Sequence, residues 1–94
     1  MKKADPNGDA YDAVFGALAH ATRRRVLITI YFNGGEMSAG EIADLFAHTW
    51  QTTTRHLRVL EKAKLIKHER QGRLWIYRIH RERIRLVKEW LAHF

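Results

Sequence analysis

A chain of 94 residues, 46% hydrophobic and 29% charged, makes one domain that buries roughly 60–65% of the surface its unfolded form exposes. The net charge of +7 favours a polyanionic partner, and the absence of cysteine excludes a disulfide framework, a thiolate metal site and a thiol redox switch, as suits a cytoplasmic protein. No apolar run follows Lys2 and Lys3 and no segment has the length of a bilayer span, which argues against secretion and membrane insertion.

Met1 to Gly8 holds the only proline, an Asn-Gly pair and charges, and is expected to be a flexible leader (1–8) to a single domain (9–94). Asp9 is placed to cap a first helix to about Ala19, with Tyr11, Val14, Phe15 and Leu18 along one stripe. In so short a chain that stripe can pack on its own monomer and still meet a second subunit with part of its surface.

Thr22 reads as the N-cap of a second helix in which Val26, Leu27, Ile30 and Tyr31 recur at helical spacing before Asn33-Gly34-Gly35 ends it. Its first turn, Arg23-Arg24-Arg25, opposes the helix dipole. The cluster either faces phosphate or forms ion pairs with Asp9, Asp12 or Glu36. Lys2 and Lys3 against Asp5, Asp9 and Asp12 leave the first 22 residues at −1, so the remainder carries +8 and the positive field begins at the second helix.

Ser38-Ala39-Gly40-Glu41 fits a capping box for a third helix that buries Ile42, Leu45 and Phe46. Ala47-His48 is the expected turn, and Thr49 caps a fourth helix with two unlike faces. Thr53, Leu57, Leu60 and the stem of Lys64 fall on one side; Gln51, Arg55, Arg58 and Lys62 fall opposite. Cations, an amide and the nearby hydroxyls of Thr49, Thr52 and Thr54 are the groups that pair with phosphate oxygens and base edges, so this is read as a DNA-recognition helix. Trp50 either contacts DNA at the start of that helix or covers the turn beside Phe46.

Leu65 to Arg70 and Arg73 to Ile79, joined through Gln71-Gly72, form a hairpin with Arg70 and Arg73 flanking its tip; Trp75, Tyr77 and Ile79 alternate onto one face and are assigned to the core. A last helix from about Arg81 to His93 groups Ile84, Val87, Trp90 and Leu91, and Leu86, Trp90 and Phe94 extend its apolar surface beyond what one monomer contact uses. That breadth points to a helix-mediated dimer. The architecture expected is mainly α with a small β-hairpin, a winged helix-turn-helix around one core.

This order resembles the ArsR-type winged helix-turn-helix repressors over nearly the whole chain beyond the leader. The matching stretches are ALAHATRRRVL (17–27), EMSAGEIADLF (36–46), TTTRHLRVLEKAKLI (52–66) and the 72–79 strand ending YRI. The resemblance implies a homodimer through the first and last helices (Tyr11, Val14, Phe15, Leu18, Leu86, Val87, Trp90, Leu91, Phe94) and double-stranded operator DNA, as an inverted repeat, read by two recognition helices. Thr49, Trp50, Gln51, Thr52, Thr54, Arg55 and Arg58 match the family's contacting segment, Arg70 and Arg73 its wing, and Lys62 joins them on the outward face. His56 lies toward the buried edge and is read as structural.

Many relatives of that kind sense metals. Here Ser38 and Gly40 occupy the third-helix cysteine positions, and Arg81, Arg83 and Phe94 occupy the last-helix ligand positions, so no metal or other cofactor is expected. Glu89 with His93, and Glu41 with Asp44 and His48, supply no closed ligand set in one chain. The triple arginine and the EWLAHF ending resemble the metal-free, SdpR-like autorepressor branch, controlled by its own concentration, an unknown effector or a sequestering protein. No catalytic constellation is recognisable, since the sole serine serves better as a cap. Two rivals remain: a protein-interaction module using the terminal helices, and a non-specific DNA-binding protein.

Overall fold

Caps and glycine turns punctuate this chain into five helices and a three-stranded antiparallel sheet, in a computed structural model that describes residues 7–46 and 49–94. Helix α1, Gly8–Leu18, is entered from Asn7 and carries Asp9 in its first turn. The carboxylate there offsets the positive end of the helix dipole, so Asp9 acts inside the helix rather than as its cap, and the domain already includes Gly8. Val14 and Ala17 are its buried residues.

Helix α2, Ala21–Phe32, begins at His20 rather than Thr22: the His20 ring Nδ1 accepts the Thr22 backbone N–H at 3.2 Å. Its end follows the glycine signal. Gly34 and Gly35 have φ of 84° and 93°, a region costly for any residue with a β-carbon, and the Gly35 N–H closes onto the Ile30 carbonyl at 3.0 Å. Val26 and Ile30 face the core, while Tyr31 is exposed, against expectation.

The arginines opening α2 serve the end of the preceding helix. Arg23 Nε donates to the Ala17 carbonyl at 2.7 Å and its Nη2 to Gly16 at 3.3 Å, and Arg24 Nη1 donates to Leu18 at 2.7 Å. Those carbonyls end α1, where acceptors lack helical partners and the dipole is negative. The penalty of cations at the start of one helix is thus offset at the end of its neighbour, and among the described residues neither arginine pairs with Asp9, Asp12 or Glu36.

A third strand, β1, spans Glu36–Ser38 and precedes helix α3, Ala39–Leu45. The capping box forms as read: Glu41 N–H donates to Ser38 Oγ at 3.1 Å, and Ser38 N–H to Glu41 Oε1 at 2.9 Å. Because α3 makes only two turns and turns the Ile42–Phe46 side to the core, Leu45 is left exposed, contrary to its assignment. The turn expected at Ala47-His48 lies outside the described residues.

Helix α4, Trp50–Lys62, is capped by Thr49, whose Oγ1 accepts the Thr52 N–H at 3.1 Å. It ends with Lys64 at φ 63° and with the Leu65 N–H bonded to Leu60 O at 3.0 Å. Lys64 therefore stands off the helix, exposed, and its stem does not join the buried face.

Strands β2 (Ile66–Gln71) and β3 (Leu74–Ile79) turn through Gly72-Arg73, with Gly72 at φ 60°, and β3 lies between β1 and β2. The register pairs Ile66 with Ile79, His68 with Tyr77 and Arg70 with Trp75, so these six share one face. That face leaves the core as it approaches the turn: Ile66 is buried, Tyr77 and Ile79 are half-buried against the core, and Trp75 is 43% exposed. Trp75 thus keeps the predicted face but not the predicted burial, while Ile76, on the other face beside β1, is buried.

Val14, Ile30, Ile42, Leu60, Leu65 and Ile66 form the fully buried centre where α1 to α4 meet the base of the hairpin. Helix α5, Arg81–Leu91, buries no residue; Ile84 and Val87 only lean on that centre.

Candidate nucleic-acid interface

Opposite chemistries divide the surface of α4. Thr53, His56, Leu57 and Leu60 are buried, and these anchor the helix; full burial of each leucine contributes about 1.5–3 kcal/mol. Gln51, Arg55, Arg58 and Lys62 are exposed on the reverse side. Among the described residues, the side chains of Gln51, Arg55 and Lys62 make no hydrogen bond or ion pair within the chain, so their donors face outward unengaged. A rigid helix holding uncommitted donors suits acceptors on a rigid partner.

The start of the helix is more constrained. Thr49 Oγ1 both accepts from the Thr52 N–H and donates to Thr52 Oγ1 at 3.0 Å, and Thr52 and Thr54 are half-buried. Trp50 is 53% exposed in the first turn, and helical stepping puts it nearer the side of Thr53 and Leu57 than that of Gln51 and Arg55. Lys62, at the other end, also borders a shallow depression with Asp12 and Gly16 of α1. His56 is buried with its ring 4.6 Å from that of His20, so it ties α4 to the start of α2 and is not part of the outward face.

The hairpin is braced on α4 by side chains that belong to separate elements. His68 Nδ1 lies 2.6 and 2.8 Å from the two Glu61 carboxylate oxygens, and the His68 ring meets those of Trp75 and Tyr77 at 5.1 and 5.2 Å. Arg70 stacks 5.4 Å from the Trp75 ring centre while its Nε donates to Gly72 O at 3.0 Å. Burial raises the Tyr77 phenol above its ordinary value, the Glu61 charge raises it further, and Arg58 opposes both. The tip arginines, Arg70 and Arg73, thus extend from a sheet fixed to the C-terminal turn of α4. On the opposite sheet face, Arg78 pairs with Glu36 of β1 at 2.9 Å and with Glu69 of β2, tying the three strands together.

All ten residues assigned to DNA sit on α4, its cap or the hairpin. The residues assigned to self-association behave unevenly. Val14 is wholly buried in its own protomer and is withdrawn from that set, because the inner side of α1 faces the core. Tyr11, Phe15 and Trp90 pack together, with Phe15 and Trp90 ring centres 5.0 Å apart, and Phe94 meets Trp90 at 5.1 Å. Leu91 and Phe94 remain largely exposed.

At the positions where the resembled family holds metals, Ser38 Oγ is committed to its capping box, Gly40 has no side chain, and Arg81 and Arg83 are cations; this donor set does not fit a metal. Among the described residues, no three His, Cys, Asp or Glu side chains gather as ligands, and no helix is long and apolar enough to cross a membrane.

Comparison with known proteins agrees with this geometry. A helix-turn-helix domain family matches residues 18–69, more than half the chain. The transcriptional repressor SdpR of Bacillus subtilis (strain 168) is 31% identical over 81 residues, 86% of this chain and 88% of that protein. The crystal structure of an ArsR family transcriptional regulator superposes with a TM-score of 0.81 at 29% identity, covering 99% of this chain and 91% of the other. A homodimeric winged helix-turn-helix DNA-binding domain from Mycobacterium bovis, at 24% identity and a TM-score of 0.75, shares the fold over 99% of this chain and 90% of its own.

Proposed function

The chain belongs to the ArsR-type winged helix-turn-helix family, and from that premise we propose that it is a homodimeric, sequence-specific DNA-binding repressor that occludes a promoter. The observation that carries this reading is the two-sided α4, anchored by Leu57 and Leu60 and offering Gln51, Arg55, Arg58 and Lys62 to an external partner. Arg55 and Gln51 read base edges in the major groove; Arg58, Lys62, Arg70 and Arg73 hold phosphates and fix register. Thr49, Thr52 and Thr54 frame the entry of the helix, with Trp50 alongside.

Two copies join through the outward surfaces of α1 and α5, where half-buried Leu86 and Trp90 and exposed Leu91 and Phe94 form an apolar face that the single chain leaves partly uncovered. Such a dimer presents two recognition helices about 34–36 Å apart to an inverted repeat. With +7 per chain, binding weakens steeply with salt, with a slope of about −0.9 per phosphate neutralised. The regulator works without the family's metal sites, since Ser38, Gly40, Arg81 and Arg83 stand at the ligand positions.

Selection from a randomised duplex pool at near-physiological salt tests the reading. Enrichment of an inverted repeat with half-sites one helical turn apart is the expected result. Equal retention of every sequence would instead mark a non-specific binder, and no DNA retention with recovery of one stoichiometric protein would mark an interaction module.

A further inference from the structure

Helices α2 and α5 enclose a groove of about 960 Å³ that the DNA-binding reading leaves unused. Its floor is apolar, built mainly from Leu27, Ile28, Tyr31, Ile79 and Ile84. Around that floor stand five cations, Arg24, Arg25, Arg81, Arg85 and Lys88, with no acid among the lining residues. Among the described residues none of the five makes an ion pair; Arg24 alone is engaged, through the Leu18 carbonyl.

The groove has distinct ends. Ile79 N–H donates to Gly35 O at 3.0 Å, which sets the start of α5 beside the end of α2. Arg81 therefore stands at the Tyr31 end, and Lys88, two turns further along α5, stands toward Leu18 and Ala21, where Arg24 and Arg25 open α2. The N-terminal dipole of α2 adds positive potential at that end. Arg24, Arg25 and Lys88 gather at that end against Arg81 alone at the other, with the apolar floor between, an uneven charge that complements an anion carrying an apolar chain.

The groove borders the proposed dimer face at Leu18, which lines it, and at Leu91, which falls beside Ile84 on α5, but most of that face lies elsewhere. Stepping 100° per residue along α5, Arg81, Ile84, Arg85 and Lys88 cluster on one side, and Leu86 and Trp90 point away from them. A second copy of α5 would bring Arg81, Arg83, Arg85 and Lys88 against the same cations with only Glu82 and Glu89 to compensate.

We propose that this groove binds an amphipathic anion of the long-chain fatty-acid type, with its carboxylate among Arg25, Arg85 and Lys88 and its chain along Ile28 and Ile84 toward Tyr31. Use of the site as an effector site rests on the regulator reading; occupancy does not, and it is measured without DNA. Calorimetry on the full-length protein below the critical micelle concentration compares myristate with tetradecyltrimethylammonium, which has the same chain length and the opposite charge, and with acetate, which has the head alone.

Saturable binding of one myristate per chain is expected, with no comparable binding of the cation or of acetate. Arg85→Glu with Lys88→Glu should weaken it by about tenfold or more, the loss of charge-assisted hydrogen bonds. Ile28→Asp, at an exposed position, should weaken it while circular dichroism reports an unchanged fold. Equal binding of anion and cation, or myristate affinity indifferent to these substitutions, would overturn the assignment. So would failure to bind myristate combined with loss of the dimer in the double variant, since that pair of results gives the groove to a second copy.

Discussion

Helices α4 and α5 look alike as sequence, since each is amphipathic, of similar length and rich in arginine, yet α4 buries four residues in the protomer and α5 buries none. The difference lies in what each apolar stripe meets. That of α4 closes onto Val14, Ile30 and Ile42, so its polar side is the side left for other molecules. That of α5 finds only partial cover from Phe15 and the edge of the core, so its apolar side is itself available. An amphipathic helix therefore offers a partner whichever face its own chain does not use.

The strongest challenge to this contrast is truncation at matched leucines. Leu60→Ala in α4 is expected to cost about 2–5 kcal/mol of folding stability by denaturant titration, since Leu60 has no exposed surface. Leu91→Ala in α5, 56% exposed, should leave single-chain stability within about 0.5 kcal/mol, measured at dilutions where the dimer has dissociated. Its effect belongs to self-association, where sedimentation should show a dimer weakened by about 1–2 kcal/mol. A large loss of single-chain stability in Leu91→Ala would erase the distinction.

On the outward face of α4, Arg55→Ala should lose about 1–3 kcal/mol of base discrimination at one position in each half-site. Arg73→Ala at the wing should instead weaken all sequences similarly and reduce the salt slope by about one. A selected motif unchanged by Arg55→Ala would remove base reading from that side chain.

The smallest effect probes the brace between α4 and the hairpin. Burial and the Glu61 charge both hold the Tyr77 proton, so Glu61→Gln should let the phenol ionise at a lower pH than in the wild type. Resonances of the Tyr77 ring followed through an alkaline titration report this. The sign for stability follows from linkage. With its folded value raised above the unfolded one near 10.0, Tyr77 contributes stability fully present below that pH and lost as pH rises through the folded value. Glu61→Gln should narrow that alkaline loss.

Local signals are legible in the sequence itself. The Ser38–Glu41 box, the Thr49 cap, the Asn33–Gly35 stop and the two faces of α4 each depend on residues within a turn or two of one another. What could not be read depends on partners in other elements, near or far along the chain. Strand β1 is three residues long and exists only because β3 pairs with it, and Glu61 meets His68 of β2 only because the chain reverses at Lys64 after α4. Arg23 and Arg24 were legible as misplaced cations, but the carbonyls they satisfy belong to another helix. His20 as a cap was hidden for another reason: histidine is outside the usual set of capping residues, and Thr22 nearby is inside it. Trp75 shows the limit of periodicity, which assigns a face but not the depth at which that face leaves the core.

The central claim is that α4 reads DNA while the terminal helices join two copies. Stoichiometry on two duplexes tests it most directly: one carries the selected inverted repeat and the other a single half-site, followed by analytical ultracentrifugation across a salt series. Two chains are expected on the repeat, with tighter binding and a steeper salt dependence than on the half-site. One chain per duplex on both, with equal affinity, would contradict it.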